Sequence, residues 1–159
     1  MKYSKLADLY EQLEKTAKRL EKTHILSEFL KETTAEDVDK IILLLQGRVF
    51  PRWDERKIGF ASKMVEKSLE ISTGLPKETI AKTIKKTGDL GITGEELIGK
   101  KSQRTLFSSE LTVSKVFDNI RKLTTLTGLG SVDMKVKLVA ELLTSAKPKE
   151  ARYIIRTVL

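Results

Sequence analysis

The 159-residue chain carries 30 Lys/Arg against 22 Asp/Glu, a formal charge of +8, with 40% hydrophobic and 33% charged residues. That balance excludes a disordered chain, and the lack of any cysteine excludes disulfides and thiolate metal sites. No apolar run approaches the ~18 residues of a membrane span, and the start, MKYSKLADLYEQ, lacks the apolar core of a signal peptide, so an intracellular protein is expected. The charge is uneven, because residues 101–159 hold 11 Lys/Arg and 5 Asp/Glu. Such an excess favours a polyanionic partner; a merely solubilising surface is the plainer alternative.

In chain order the pattern predicts helices nearly throughout and no hairpin signals, hence an all-α domain. Leu6, Leu9, Tyr10, Leu13, Ala17 and Leu20 recur at helical spacing. Thr34 followed by Asp37 reads as a helix start, with Val38, Ile41, Ile42 and Leu45 as its stripe. QGRVFPRWDERKIG, 46–59, breaks the pattern with Gly47 and Pro51. Phe60 to Ser72 is helical and ends at Gly74; Pro76 opens KETIAKTIKK; TGDLGITG reads as a turn-rich break. After the polar stretch 101–111, Thr112 caps a helix carrying Val113, Val116, Phe117, Ile120 and Leu123 on one face. Ser131 is expected to cap the next, with Val132, Val136, Val139, Ala140 and Leu143, and Pro148 to open the last. The chain stops at RYIIRTVL without a cap, the expectation being a fragment of a longer protein.

An internal repeat emerges. LYEQLEKT from Leu9 matches VFDNIRKL from Val116, a shift of 107, and ILSEFLKETTAEDVDKIILLL from Ile25 matches LVAELLTSAKPKEARYIIRTV from Leu138, a shift of 113. The extra residues fall around TGLGSVD, opposite RLEKTH. The expectation is a helical domain of two pseudo-symmetric three-helix halves, joined by a helical and loop insertion over 46–111. Two matched corners suit the two backbones of a duplex.

The second corner, TLTGLGSVDMKVK, offers Gly128 and Gly130 for close backbone approach, a helix start at Ser131 for a phosphate, and Lys135 one turn on. An ordinary serine-capped corner is the alternative, and Asp133 in the first turn fits it. The first corner carries Arg19, Lys22 and Thr23. In GRVFPRWDERK, Arg48, Arg52 and Arg56 lie beside aromatics, a composition suited to nucleic acid; Phe50 and Trp53 are expected to anchor the loop on the core. The lone histidine, His24, has no metal-ligand spacing, and no Gly-x-x-x-x-Gly-Lys-Ser/Thr loop exists. These residues bind rather than catalyse.

Taken together, LYEQLEKTAKRLEKTHILSEFLK, VFPRWDERKIG, TGDLG, LTTLTGLGSVDMKVKLVAELL and EARYIIRTVL resemble the N-terminal DNA-binding domain of archaeal ATP-dependent DNA ligases, over residues 1–159. The resemblance implies an all-helical domain of two pseudo-symmetric halves that grips nicked duplex DNA, as a monomer, in the cytoplasm at the nucleoid. It implies phosphate contacts from Gly128, Gly130, Ser131 and Lys135, with Arg19, Lys22 and Thr23 as their counterparts; Arg152 and Arg156 are weaker candidates, open to pairing with acids such as Glu150. The ligase adenylation motif Lys-x-Asp-Gly is absent, and KTGD at 86–89 is not it. ATP and Mg are therefore expected in a parent enzyme, and no cofactor in this fragment.

Within KKSQRTLFSSELT, Gln103, Leu106 and Phe107 resemble the clamp-binding motif of archaeal ligases, which docks on the sliding clamp PCNA. Ser109 and Glu110 stand where the fuller motif has paired aromatics. The other role open to Leu106 and Phe107 is to pin the inter-lobe loop. The rival reading of the whole chain is a helical protein-interaction scaffold with incidental basic charge.

Overall fold

The protein, described by a computed structural model over residues 1–101 and 109–159, is all-helical among those residues. The helices are α1 (Tyr3–Glu14), α2 (Arg19–Lys31), α3 (Val38–Leu45), α4 (Ser62–Thr73), α5 (Lys77–Thr87), α6 (Leu90–Gly99), α7 (Val113–Leu123), α8 (Ser131–Ser145) and α9 (Pro148–Val158). Several ends follow the expected chemistry. Gly74 and Gly88 close α4 and α5 with left-handed backbone. The Thr112 hydroxyl accepts from the Lys115 N–H at 3.1 Å, and Pro148 occupies the first turn of α9.

Other expectations are corrected. The Leu6-to-Leu20 stripe is two helices, since α1 stops at Glu14 and Leu20, on α2, is 84% exposed. RLEKTH is the start of α2 rather than a corner. The segment LGITG is helical, because the Asp89 carboxylate accepts from the Ile92 N–H at 2.8 Å and caps α6. Its glycines serve packing. A Cβ on Gly91 would lie 2.9 Å from Arg156 Nε and 3.1 Å from the Arg152 carbonyl, and one on Gly94 would collide with Ile155. Glycine here lets α9 lie close against α6, the most extensive helix pairing in the fold. Ser131 is the first residue of α8 and makes no capping bond; Gly130 holds the cap position.

The core is one apolar cluster drawn from α1, α3 to α9 and the loop residues Val49, Phe50, Phe60 and Leu111. Fully buried residues include Leu6, Ile41, Leu69, Ile120, Leu143 and Ile154, each stabilising the fold by roughly 1.5–3 kcal/mol relative to exposure. α2 has no buried residue. It packs chiefly on α1.

Three helices precede the α4–α6 insertion and three follow it. α9 packs on α1, and α3 packs on α7. At the start of the two helix sets, Lys2 and Thr112 form an antiparallel bridge. The Tyr3 N–H donates to the Leu111 carbonyl at 2.8 Å and the Val113 N–H donates to the Met1 carbonyl at 2.9 Å. The starts of α1 and α7 lie 110 positions apart, against the 107 of the sequence alignment. At that register buried Tyr3, Leu6 and Ala7 correspond to buried Val113, Val116 and Phe117. At the later shift of 113, buried Asp37 and Ile41 correspond to buried Glu150 and Ile154.

Candidate nucleic-acid interface

The first corner is the short connection 15–18 between α1 and α2. The Thr16 hydroxyl accepts from the Lys18 N–H at 3.2 Å and donates to Glu21 at 2.9 Å, which fixes the turn. Arg19 is exposed and Lys22 half-buried at the start of α2. Thr23 is exposed, but its hydroxyl donates to the Arg19 carbonyl at 2.9 Å and is engaged by its own helix.

The second corner, 124–130, is longer. α7 ends at Leu123, where the Thr124 and Thr125 hydroxyls each donate back to helix carbonyls at 2.8 Å. Gly128 and Gly130 follow with φ of 86° and 79°, a backbone conformation that side-chain-bearing residues rarely adopt. Between them Leu129 is fully exposed. Ser131 is half-buried, and its N–H is already bonded to the Gly128 carbonyl at 3.2 Å. Arg121 and Lys122 stand exposed on the last turn of α7 and Lys137 on α8, while Lys135 is half-buried. Its ammonium lies 3.2 Å from where a Cβ on Gly59 would sit, so it reaches the loop 46–61.

That loop runs between Lys22 of α2 and Lys135 of α8. At one end Gly47 and Lys22 border the same cavity, about 350 Å³, with Tyr10, Leu44 and Tyr153. At the other end Gly59 meets Lys135. In between, Phe50 is buried, and the guanidinium carbons of Arg56 and Arg121 lie 3.8 and 4.6 Å from its ring centroid. Arg56 also donates to Asp54 through Nε at 3.0 Å and Nη2 at 2.6 Å. These bonds hold the Asp54 carboxyl down at about 2. The anchoring role expected of Phe50 is met, but Trp53 departs from it, since the indole is 81% exposed.

Ion pairing is uneven among the cations. On the α1/α6/α9 side several are paired: Lys149 with Asp8 at 2.9 Å, Arg152 with Glu95 at 2.6 Å, Arg156 with Glu14 at 2.9 Å. Arg152 and Arg156 are thus interhelical ties, to Glu95 and Glu14 rather than to Glu150. Around the corners and the loop, Lys18, Arg19, Lys22, Arg48, Arg52, Arg121, Lys122, Lys135 and Lys137 form no ion pair among the described residues. Lys5, Lys67, Lys77, Lys82 and Lys85, on α1, α4 and α5, also form no ion pair among the described residues. Sequence reading missed Lys18, Arg121 and Lys122. The signal was present, as Lys18 closing the first corner and the Arg121-Lys122 run before the second.

His24 is exposed, and no group of three or more metal-ligating side chains occurs among the described residues. Gln103, Leu106 and Phe107 lie outside the described residues. On either side of that segment, Lys101 donates to the Thr144 carbonyl at 2.8 Å and Glu110 pairs with Lys2 at 2.8 Å.

The family model for the DNA ligase N terminus matches residues 2–159. The chain belongs to that family. It is 44% identical over its whole length to a DNA ligase of Thermococcus fumicolans, covering 28% of that protein. It is 40% identical over 99% of its length to one from Methanothermobacter thermautotrophicus, again covering 28%. A DNA ligase of Cenarchaeum symbiosum is 36% identical over the full chain, which covers 27% of it. This ligase N-terminal domain therefore spans under a third of the length of such relatives. No helix among its described residues is long and apolar enough to cross a membrane.

Proposed function

We propose that this domain binds nicked duplex DNA without reading its sequence and holds it for ligation by a longer chain. The observation that carries the reading is the concentration of unpaired cations around the two corners and along the loop that joins them. Arg152 and Arg156 are neutralised by acids that tie helices together, whereas most cations at the corners and along the joining loop, Lys15 and Arg56 excepted, have no acidic partner among the described residues. Such cations neutralise phosphates and release counterions. Backbone contacts of this kind position a duplex and carry no sequence information. Arg19 and Lys22 serve one corner. Gly128, Gly130, Ser131 and Lys135 serve the other, the glycines by close backbone approach. Thr23 contributes only an acceptor or its helix-bound hydroxyl. The reciprocal packing of α1–α3 and α7–α9 supports two related halves acting on the two backbones.

ATP and Mg belong to the adenylation chemistry of the longer chain, and no step of it runs through residues of this domain. Gln103, Leu106 and Phe107 retain their sequence-based role as a docking element for the sliding clamp, PCNA. The domain acts as a monomer in the cytoplasm.

The test is binding to a labelled nicked duplex of two unrelated sequences, titrated against salt. Matching affinities that fall steeply with salt are expected, with a log–log slope near −0.9 per phosphate engaged. Absence of binding at low salt would sink the reading and promote the protein-interaction scaffold.

A further inference from the structure

Trp53 is the sole tryptophan of the chain. An indole left 81% exposed forgoes most of the stabilisation that burial would give it. Nor is the loop that carries it loose. Phe50 is buried three residues before it, the Asp54 N–H donates to the Pro51 carbonyl at 3.0 Å, and Arg56 is clamped to Asp54 three residues after it. The ring is presented outward by a fixed loop.

Its surroundings say what it faces. The loop borders Lys22 at its Gly47 end and Lys135 at its Gly59 end, so Trp53 falls between the two basic corners along the chain. Arg48, Arg52 and Lys57 around it are exposed and form no ion pair among the described residues. Trp53 is the only large exposed apolar residue within 46–61. A protein-docking site gathers several apolar anchors at its centre; a single aromatic beside three unpaired cations, with only Glu55 as an exposed acid near it, matches a nucleic-acid surface.

We propose that Trp53 is a duplex-contacting residue, packing its indole on the deoxyribose and base edges of the DNA between the two corners. The proposal rests on the DNA-binding reading above. It adds a third contact element, apolar where the corners are ionic. Proteins that bind duplex grooves without sequence preference commonly combine cationic backbone contacts with an apolar side chain in this way. The contribution of the indole is insensitive to salt, because it releases no counterion.

One titration separates the two claims. A dye-labelled nicked duplex reports binding by anisotropy, while indole emission, which comes from Trp53 alone, reports contact. Emission is expected to quench and shift with the same midpoint as the anisotropy, and a neutral quencher is expected to lose access to the ring. A rising anisotropy with unchanged emission and quencher access overturns the Trp53 proposal and leaves DNA binding intact. A flat anisotropy at low salt removes both. Trp53→Ala is expected to weaken binding about tenfold with the salt slope unchanged, and Trp53→Phe to restore most of the loss. A Trp53→Ala domain that binds duplex normally, but slows ligation when placed in a full-length ligase, would instead assign the ring to a protein surface and overturn the proposal.

Discussion

At the scale of single residues, Glu150 shows how a buried charge can serve a helix start and still cost stability. It is 3% exposed in the first turn of α9, where its Oε1 accepts from the Lys147 N–H at 2.8 Å. Burial raises its carboxyl above the usual range, and the Lys147 N–H and charge only partly oppose that. For an acid raised in the folded state, the unfolded chain ionises first as pH rises. The folded protein therefore loses stability from about pH 4 upward, through its raised value, and the loss is complete above it. Glutamine keeps the acceptor and carries no charge. Glu150→Gln is expected to raise the urea midpoint at pH 7, with the gain vanishing below about pH 4, where both side chains are neutral. A lower midpoint at pH 7 would mean that the ionised bond to Lys147 outweighs the cost of burial. Glu150→Ala removes the acceptor and is expected to destabilise by about 1 kcal/mol below about pH 4, and by less at pH 7, where it also removes the cost of the buried charge.

At the scale of elements, stability is uneven, and α2 is its weak point. It buries no residue, carries Leu20 and Leu30 exposed, and packs chiefly on α1. An isolated helix of 13 residues is marginal in water. Its amides are thus expected to exchange with solvent fastest among the helices, and those of α6 and α9 slowest. If Arg19 and Lys22 engage phosphate, saturating nicked duplex should slow exchange in α2 more than in α5. Equal slowing in both, or none in α2, would take the first corner out of the interface. The same unevenness explains what the sequence disclosed. Elements that bury a clean stripe, such as α7 with Val113, Val116, Phe117, Ile120 and Leu123, were legible from periodicity alone. α2 was not, because its stripe of Ile25, Leu26 and Phe29 is short and only half-buried against the core, and its Leu20 extended the pattern of α1 by coincidence of spacing. LGITG was misread for the opposite reason. Its glycines look like turn residues, yet they answer to Arg156 and Ile155 of a helix some sixty positions away, which no local pattern encodes. The backbone of the second corner was legible at Gly128 and Gly130, where glycine permits the left-handed conformation found there. The role of Trp53 was not, because exposure depends on which side of its loop meets the core.

At the scale of the whole molecule, cations of the same type differ in what holds them, and the proposed DNA-binding role predicts different consequences for each. Arg152 is 18% exposed at its side chain and makes two bonds to Glu95, at 2.7 and 2.8 Å, joining α9 to α6. Breaking a partly buried pair of that geometry leaves Glu95 without its partner in a region of reduced solvation. Arg19 and Lys122 are exposed and tie nothing together among the described residues; surface substitutions of that kind usually change stability by no more than about 0.5 kcal/mol. The consequences for binding run the other way. Each unpaired cation that meets a phosphate adds about 0.9 to the salt slope, and a cation already held by a carboxylate adds little. Arg152→Gln is therefore expected to lower the unfolding midpoint clearly while leaving duplex affinity and its salt slope close to the parent values. Arg19→Gln and Lys122→Gln are expected to leave the unfolding midpoint unchanged, to weaken binding equally for unrelated sequences, and to flatten the slope by about one each. Measured together on one set of variants, stability and salt slope should show this crossed pattern. If Arg152→Gln flattened the slope as much as Arg19→Gln, the DNA-facing side would have to include α9. The partition between fold-holding and phosphate-holding cations would then fail for the molecule as a whole.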